Sequence, residues 1–106
     1  MNQNHLILSG SFDKTIKLWS TESGLNIKTF IGHTNLVRSV CFSPNYLQDI
    51  LILSGSNDGT IKLWSLDSEI PMKTIIGHTG GIRSVCFSPS IDYNIFSYMK
   101  RSVPNE

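Results

Sequence analysis

The sequence predicts an all-β fold built from small antiparallel sheets of four strands each. Three observations predict it. The stretch "SGSFDKTIKLWS" at residues 9–20 returns as "SGSNDGTIKLWS" at 54–65, so one structural unit is written twice. Apolar residues in the shared stretches alternate with period two, and turn-forming residues separate them at short intervals. None of the shared stretches reads as a helix.

The repeat has a fixed length. Trp19 recurs as Trp64, and Gly32-His33 as Gly77-His78, each time 45 positions on. Residues 6–50 and 51–95 agree at 28 of 45 positions, and the disagreements gather at 21–22, 24–27, 35–37 and 45–49, with isolated changes at 12, 14 and 30. These are mostly polar or Gly- and Pro-containing stretches, the composition of turns. The shared positions are therefore scaffold.

Within one period the elements follow in order. "ILILSGS" at 50–56 is rich in β-preferring residues and runs into "NDG", a strong tight-turn signal. "TIKLW" at 60–64 then alternates polar and apolar, so the two stretches make a hairpin. "MKTIIG" at 72–77 and "GIRSVCFSP" at 81–89 supply two further strands, the last closed by Pro89.

Four strands per period, a Gly-His near its start and "SGSxDxTIKLW" near its end closely resemble the WD-repeat β-propeller family. The likeness covers residues 6 to about 89. It departs at the naming dipeptide, since Trp-Asp is replaced by Trp19-Ser20 and Trp64-Ser65. The fold it implies is a partial β-propeller of four-stranded antiparallel blades, one complete blade flanked by incomplete ones. With strands lettered a to d from centre to rim, the family's order places b, c and d of a first blade at 6–31. A complete second blade follows at 36–76, and strand a of a third at 81–88. Residues 1–89 thus form the WD-repeat segment, and 90–106 a divergent C-terminal tail without the glycine, serine and aspartate landmarks. Gln3 matches Gln48, which reads "MNQNH" as the remnant of an a-to-b loop and the chain as a cut from something longer.

Ser54, His33 and Asp58 are the residue types of a nucleophile, its base and its orienter. The family resemblance assigns them another role, a structural hydrogen-bond tetrad with Trp64. In it the indole meets the serine, the serine the imidazole, and the imidazole the carboxylate. The sequence is compatible with that role: Ser54 and Trp64 share side-chain parity on paired strands, Asp58 lies in their turn, and His33 precedes strand a. Two partial tetrads flank it. Ser9, Asp13 and Trp19 lack a histidine, and His78 lacks the other three. No Gly-x-Ser-x-Gly elbow accompanies Ser54, so catalysis is not expected.

The remaining features carry less. A formal net charge of +1 gives no bias toward nucleic acid or acidic lipid. The longest aliphatic run, "ILIL" at 50–53, is too short for a membrane span, and "MNQNHLILSG" is no signal peptide. A cytoplasmic or nuclear location is expected. Cys41 and Cys86, in matching copies of "RSVCFSP", read as small buried hydrophobes rather than a disulfide or metal pair. Lys17, Lys28, Lys62, Lys73, Arg38 and Arg83 recur at matching positions. They read as solubilising charges near strand ends more readily than as a stripe for phosphates. "GHTGG" opens no helix and so makes a poor phosphate loop. His5 reads as a solvated terminal histidine.

The implied function is a non-catalytic protein-interaction scaffold, without cofactor or metal and with other proteins as partners. Strand order gathers the d-to-a and b-to-c loops at one end. These carry Phe12, Asn57, Thr34, Leu36, Thr79 and Gly81, the candidate binding face, with Phe12 and Leu36 preferred because their sister positions hold Asn and Gly. The alternatives are a truncated gene product without independent function and, more remotely, a Ser/His/Asp hydrolase. Fewer than three full repeats leave open faces, so the expectation is either aggregation or association into a closed homo-oligomer, in which 81–88 could complete a neighbour's first blade.

Overall fold

In the computed structural model, residues 5–44 and 49–88 are described. They form seven strands: β1 (Leu6–Gly10), β2 (Thr15–Ser20), β3 (Asn26–Ile31), β4 (Val37–Phe42), β5 (Leu51–Ser56), β6 (Thr60–Ser65) and β7 (Lys73–Ile76). Two antiparallel sheets result, β1-β2-β3 and β4-β5-β6-β7, with no helix among the described residues. They are called sheet one and sheet two below.

The two hairpin turns are built alike because they share their capping residues. In the first, Ser11 Oγ accepts the Asp13 N–H (3.0 Å), and Asp13 Oδ1 accepts both the N–H (3.0 Å) and the hydroxyl (2.6 Å) of Thr15. Ser56, Asp58 and Thr60 repeat the pattern at 3.0, 2.9 and 2.6 Å. The chain then reverses through a left-handed residue, Lys14 at φ 80° in one copy and Gly59 at φ 88° in the other. Only the glycine adopts that conformation without a Cβ penalty.

The core lies between the sheets. Ile16, Leu18 and Phe30 of sheet one bury against Val37, Ile52 and Trp64 of sheet two, with Leu6, Leu8, Val40, Phe42 and Leu66 packed around them. Phe30 meets Trp64 edge to face at 5.5 Å. The approach is close because Gly10 presents no side chain: a Cβ there would lie 2.7 Å from Val37 Cγ1. The Val37 N–H donates to the Ser11 carbonyl at 2.9 Å, tying the start of β4 to the first hairpin turn.

The segment 81–88 repeats this approach on the far side of sheet two. Ile82 is buried, its N–H donates to the Ser56 carbonyl at 2.8 Å, and a Cβ on Gly55 would lie 2.6 Å from its Cγ2. The expectation of a strand here needs correction: 81–88 forms no strand among the described residues. A strand exists through its ladder, and this segment bonds only at single points such as Val85 N–H to Ser39 Oγ (3.1 Å). Cys86 is a second correction. It is exposed rather than buried, since no further sheet among the described residues covers it, whereas Cys41 is half-buried; both are free thiols. The loop remnant at 1–4 with Gln3, its counterpart Gln48, Pro89 and the tail at 90–106 lie outside the described residues.

Candidate functional site

Ser54 on β5 and Trp64 on β6 point to the same face because Trp64 pairs with Ile52 and Ser54 with Lys62, two residues along. The Trp64 Nε1–H donates to Ser54 Oγ at 2.9 Å. His33, in the connection from β3 to β4, places Nε2 at 2.7 Å from the same Ser54 Oγ and Nδ1 at 2.8 Å from Asp58 Oδ2. Asp58 is held in turn by the Thr34 N–H (3.0 Å) on Oδ2 and by Thr60 on Oδ1. The structure thus brings all four predicted residues into one line from indole to carboxylate. Gly32, next to His33, sits so close over the indole that a Cβ would come within 2.8 Å of Trp64 Cη2.

The protonation pattern follows from this geometry. Burial pushes the His33 pKa below its ordinary value, and it outweighs the opposing hydrogen bond and charge of Asp58. A neutral imidazole facing a carboxylate keeps its proton on Nδ1, which leaves Nε2 to accept from the Ser54 hydroxyl. For Asp58 burial pushes upward, but the Thr60 hydroxyl, His33 and the Thr34 and Thr60 amides together hold it well below the usual carboxylate range. Every buried side-chain polar atom among the described residues has a partner.

The partial sets are placed as separate halves. Trp19 Nε1–H donates to Ser9 Oγ at 2.9 Å, and Asp13 is engaged by Thr15 and Ser11. Its pKa is lowered, chiefly by the Thr15 hydroxyl. No histidine reaches them among the described residues. His78 is exposed and far along the chain, after β7.

The six candidate contact residues divide. Phe12 is 77% exposed, and Thr34, Thr79 and Gly81 are exposed. Leu36 and Asn57 are only half-buried surface, because each has structural work. The Leu36 carbonyl accepts from Ser56 Oγ (2.8 Å) and the Asn57 N–H (3.0 Å), and Asn57 Oδ1 accepts from Arg38 Nε (2.6 Å). Gly81 lies against Asn57, where a Cβ would come within 2.6 Å of Oδ1.

The recurring basic residues are not equivalent. Lys17 and Lys62 each donate to a threonine on the neighbouring strand, Thr29 and Thr74, at 2.9 Å. Lys28 crosses between sheets, its Nζ donating to the Leu66 (2.6 Å) and Ser68 (2.9 Å) carbonyls while lying 5.0 Å over the Phe30 ring. Sequence reasoning missed this clamp. The lysine was visible but its acceptors are backbone atoms 38 and 40 residues away. Lys73 and Arg83 make no such bond among the described residues and are exposed.

Among the described residues no helix is long and apolar enough to cross a membrane. Comparison with known proteins agrees with the architecture. The chain is 51% identical over 39 residues to the nuclear distribution protein PAC1 of Mycosarcoma maydis, covering 37% of this chain and 9% of that protein. It is 53% identical over 38 residues to the Lissencephaly-1 homolog of Branchiostoma floridae, covering 36% of this chain and again 9% of the relative. The chain therefore spans only a small part of the curated relatives it matches. Among solved structures, one of U3-55K and a crystal structure of RRP9 WD40 repeats each superpose with a TM-score of 0.65 and 25% identity. Each superposition covers 74% of this chain and 23% of the other. The family described as WD domain, G-beta repeat matches residues 2–20, 24–65 and 69–97. With three matched stretches across most of its length, and seven strands in two stacked antiparallel sheets, the chain belongs to the WD-repeat family.

Proposed function

We propose that the chain is a non-catalytic protein-interaction platform, part of a β-propeller, whose partner binds the loop end that carries Phe12. The observation that carries this reading is how the chain's polar and apolar groups are used. Ser54, set beside a histidine that bonds an aspartate, is 0% exposed and its oxygen already takes the Trp64 N–H. A nucleophile must meet its substrate, and this one is enclosed by the blade it stabilises. At the turn between β1 and β2, by contrast, a phenylalanine stands in solvent where the sister turn has Asn57. Exposed aromatic anchors of this kind are enriched where proteins bind one another. Residues 33, 54, 58 and 64 act as a structural tetrad that holds this end of sheet two rigid.

A photo-crosslinking residue at position 12 tests it. Partner proteins should be captured from position 12 and not from Glu22, which is exposed in the turn at the opposite end of sheet one. Phe12→Asn should remove the partner from wild-type affinity capture without changing the melting temperature. Equal capture from the two positions, or capture untouched by Phe12→Asn, contradicts the reading.

A further inference from the structure

We propose that a second copy of this chain docks on the outer face of sheet one, where its His78 completes the tetrad left open at Ser9, Asp13 and Trp19. The contact between the two sheets of one chain is the template. Each residue of that contact has a counterpart 45 positions away; that of Val37, Ile82, is buried against sheet two, and the others are split between two faces that no second sheet among the described residues covers.

On the near side of the template, Ile16, Leu18 and Phe30 are buried. Their counterparts on sheet two are Ile61 and Leu63, half-buried, and Ile75, 45% exposed. On the far side, Ile52 and Trp64 are fully buried, whereas their counterparts on sheet one, Ile7 and Trp19, are 52% exposed and half-buried. Among the described residues, 81–88 covers only the Gly55 end of the sheet-two face, through Ile82, and no second sheet lies on either face. Among the described residues both halves of the interface are present twice and joined once.

The polar groups match in the same way. Within the chain, His33 comes from the connection after one sheet and bonds the Ser54 and Asp58 of the next. His78 follows sheet two as His33 follows sheet one, and is exposed. Ser9 and Trp19 are already joined at 2.9 Å, and Asp13 is oriented by Thr15 as Asp58 is by Thr60, so this acceptor set lacks only an imidazole. Lys28 caps the Leu66 and Ser68 carbonyls across the template contact. Lys73 is free among the described residues to cap Thr21 and Ser23 of the second copy in the same manner.

The backbone supplies a third match. β1 is an edge strand, with β2 alone beside it among the described residues, and 81–88 makes no ladder. β4 pairs with β5 so that Cys41 faces Leu53 and Val40 faces Ser54. The same register sets Cys86 of one copy opposite Leu8 of the next, and Val85 opposite Ser9. The contact is head-to-tail, so it propagates until the ring closes. The two sheets of the described residues in each copy and rings of roughly four to eight blades give roughly two to four copies. The His78 contact reaches Asp13, in the same turn as Phe12, but it rests on the repeat register and not on the exposure of Phe12, so its test at positions 8 and 78 can fail while the Phe12 reading stands.

The register makes a covalent test. Cys41→Ser leaves Cys86 as the native thiol. In that background Leu8→Cys should give intermolecular disulfides between the thiol introduced at position 8 and Cys86 on mild oxidation, because facing strand residues have the right Cα spacing. Ile7→Cys, on the opposite face of β1, should give none. In light scattering the unmodified full chain should show roughly two to four times its monomer mass, and His78→Ala should raise the concentration for half-assembly by roughly tenfold. Ser9→Ala should raise it similarly, and the double variant hardly further. A monomer at all concentrations, disulfides formed equally from positions 7 and 8, or assembly indifferent to His78→Ala would overturn the proposal.

Discussion

At His33 one imidazole has to serve a hydroxyl on one side and a carboxylate on the other; burial keeps it neutral, and the Asp58 carboxylate holds its one proton on Nδ1. His33→Ala leaves the Ser54 hydroxyl and the Asp58 carboxylate without that partner, at a cost of roughly 1–3 kcal/mol in urea unfolding. The pH dependence has a definite sign. The folded-state pKa of His33 is lowered, so the unfolded chain takes up the proton first. The stability that His33 confers is complete above about pH 6.5, the ordinary histidine value, and is lost as pH falls from there through the folded pKa. Asp58, also lowered, adds a second loss further into acid, below the ordinary carboxylate range near about pH 4. Urea midpoints measured between about pH 7 and 5 should fall for the wild type and fall less for His33→Ala. The four residues were named by the resemblance to the WD-repeat family, with which the strand parity of Ser54 and Trp64 and the turn position of Asp58 are compatible. What no side-chain pattern reports is the Leu36 carbonyl, which accepts from Ser56 and Asn57.

At the scale of single elements, the two hairpins differ most informatively at the left-handed position of the turn. Lys14 holds φ 80° where Gly59 holds φ 88°, under identical capping by aspartate and threonine. Lys14→Gly should therefore stabilise the first hairpin by up to about 1 kcal/mol, the steric relief exceeding the added unfolded-chain entropy. Gly59→Lys should destabilise the second; the melting temperatures of the pair check both signs. The turn itself was readable from "NDG", and the repeat sets "FDK", with the same capping aspartate, at the matching place. The strand expected at 81–88 was not realised because alternation of side chains reports a strand's faces and says nothing of whether a ladder partner is at hand. The Lys28 clamp belongs to this scale too. Lys28→Met should loosen sheet one from sheet two and cost about 1 kcal/mol, while Lys73→Met in dilute solution should cost nothing measurable. Chemical denaturation of the two variants side by side tells them apart.

For the whole molecule, sequence identity between the copies does not carry over into identical burial. Trp64 is buried and Trp19 half-buried, and Ile16 is buried while Ile61 is not, although both pairs sit in the same repeated words. Periodicity made the blades legible, but burial depends on what stands beside each blade, and each end of this row lacks a neighbour among the described residues. On the proposal above, the two sheets are stable as members of a longer row, with one contact made inside the chain and the same contact available again between chains. Thermal unfolding followed across a wide range of concentration tests this most directly, because association that favours the folded chain couples melting to concentration. The expected result is a melting temperature that rises with concentration, together with a multimeric mass by light scattering in the same samples. A compact monomer with one sharp melt at a temperature independent of concentration would contradict it.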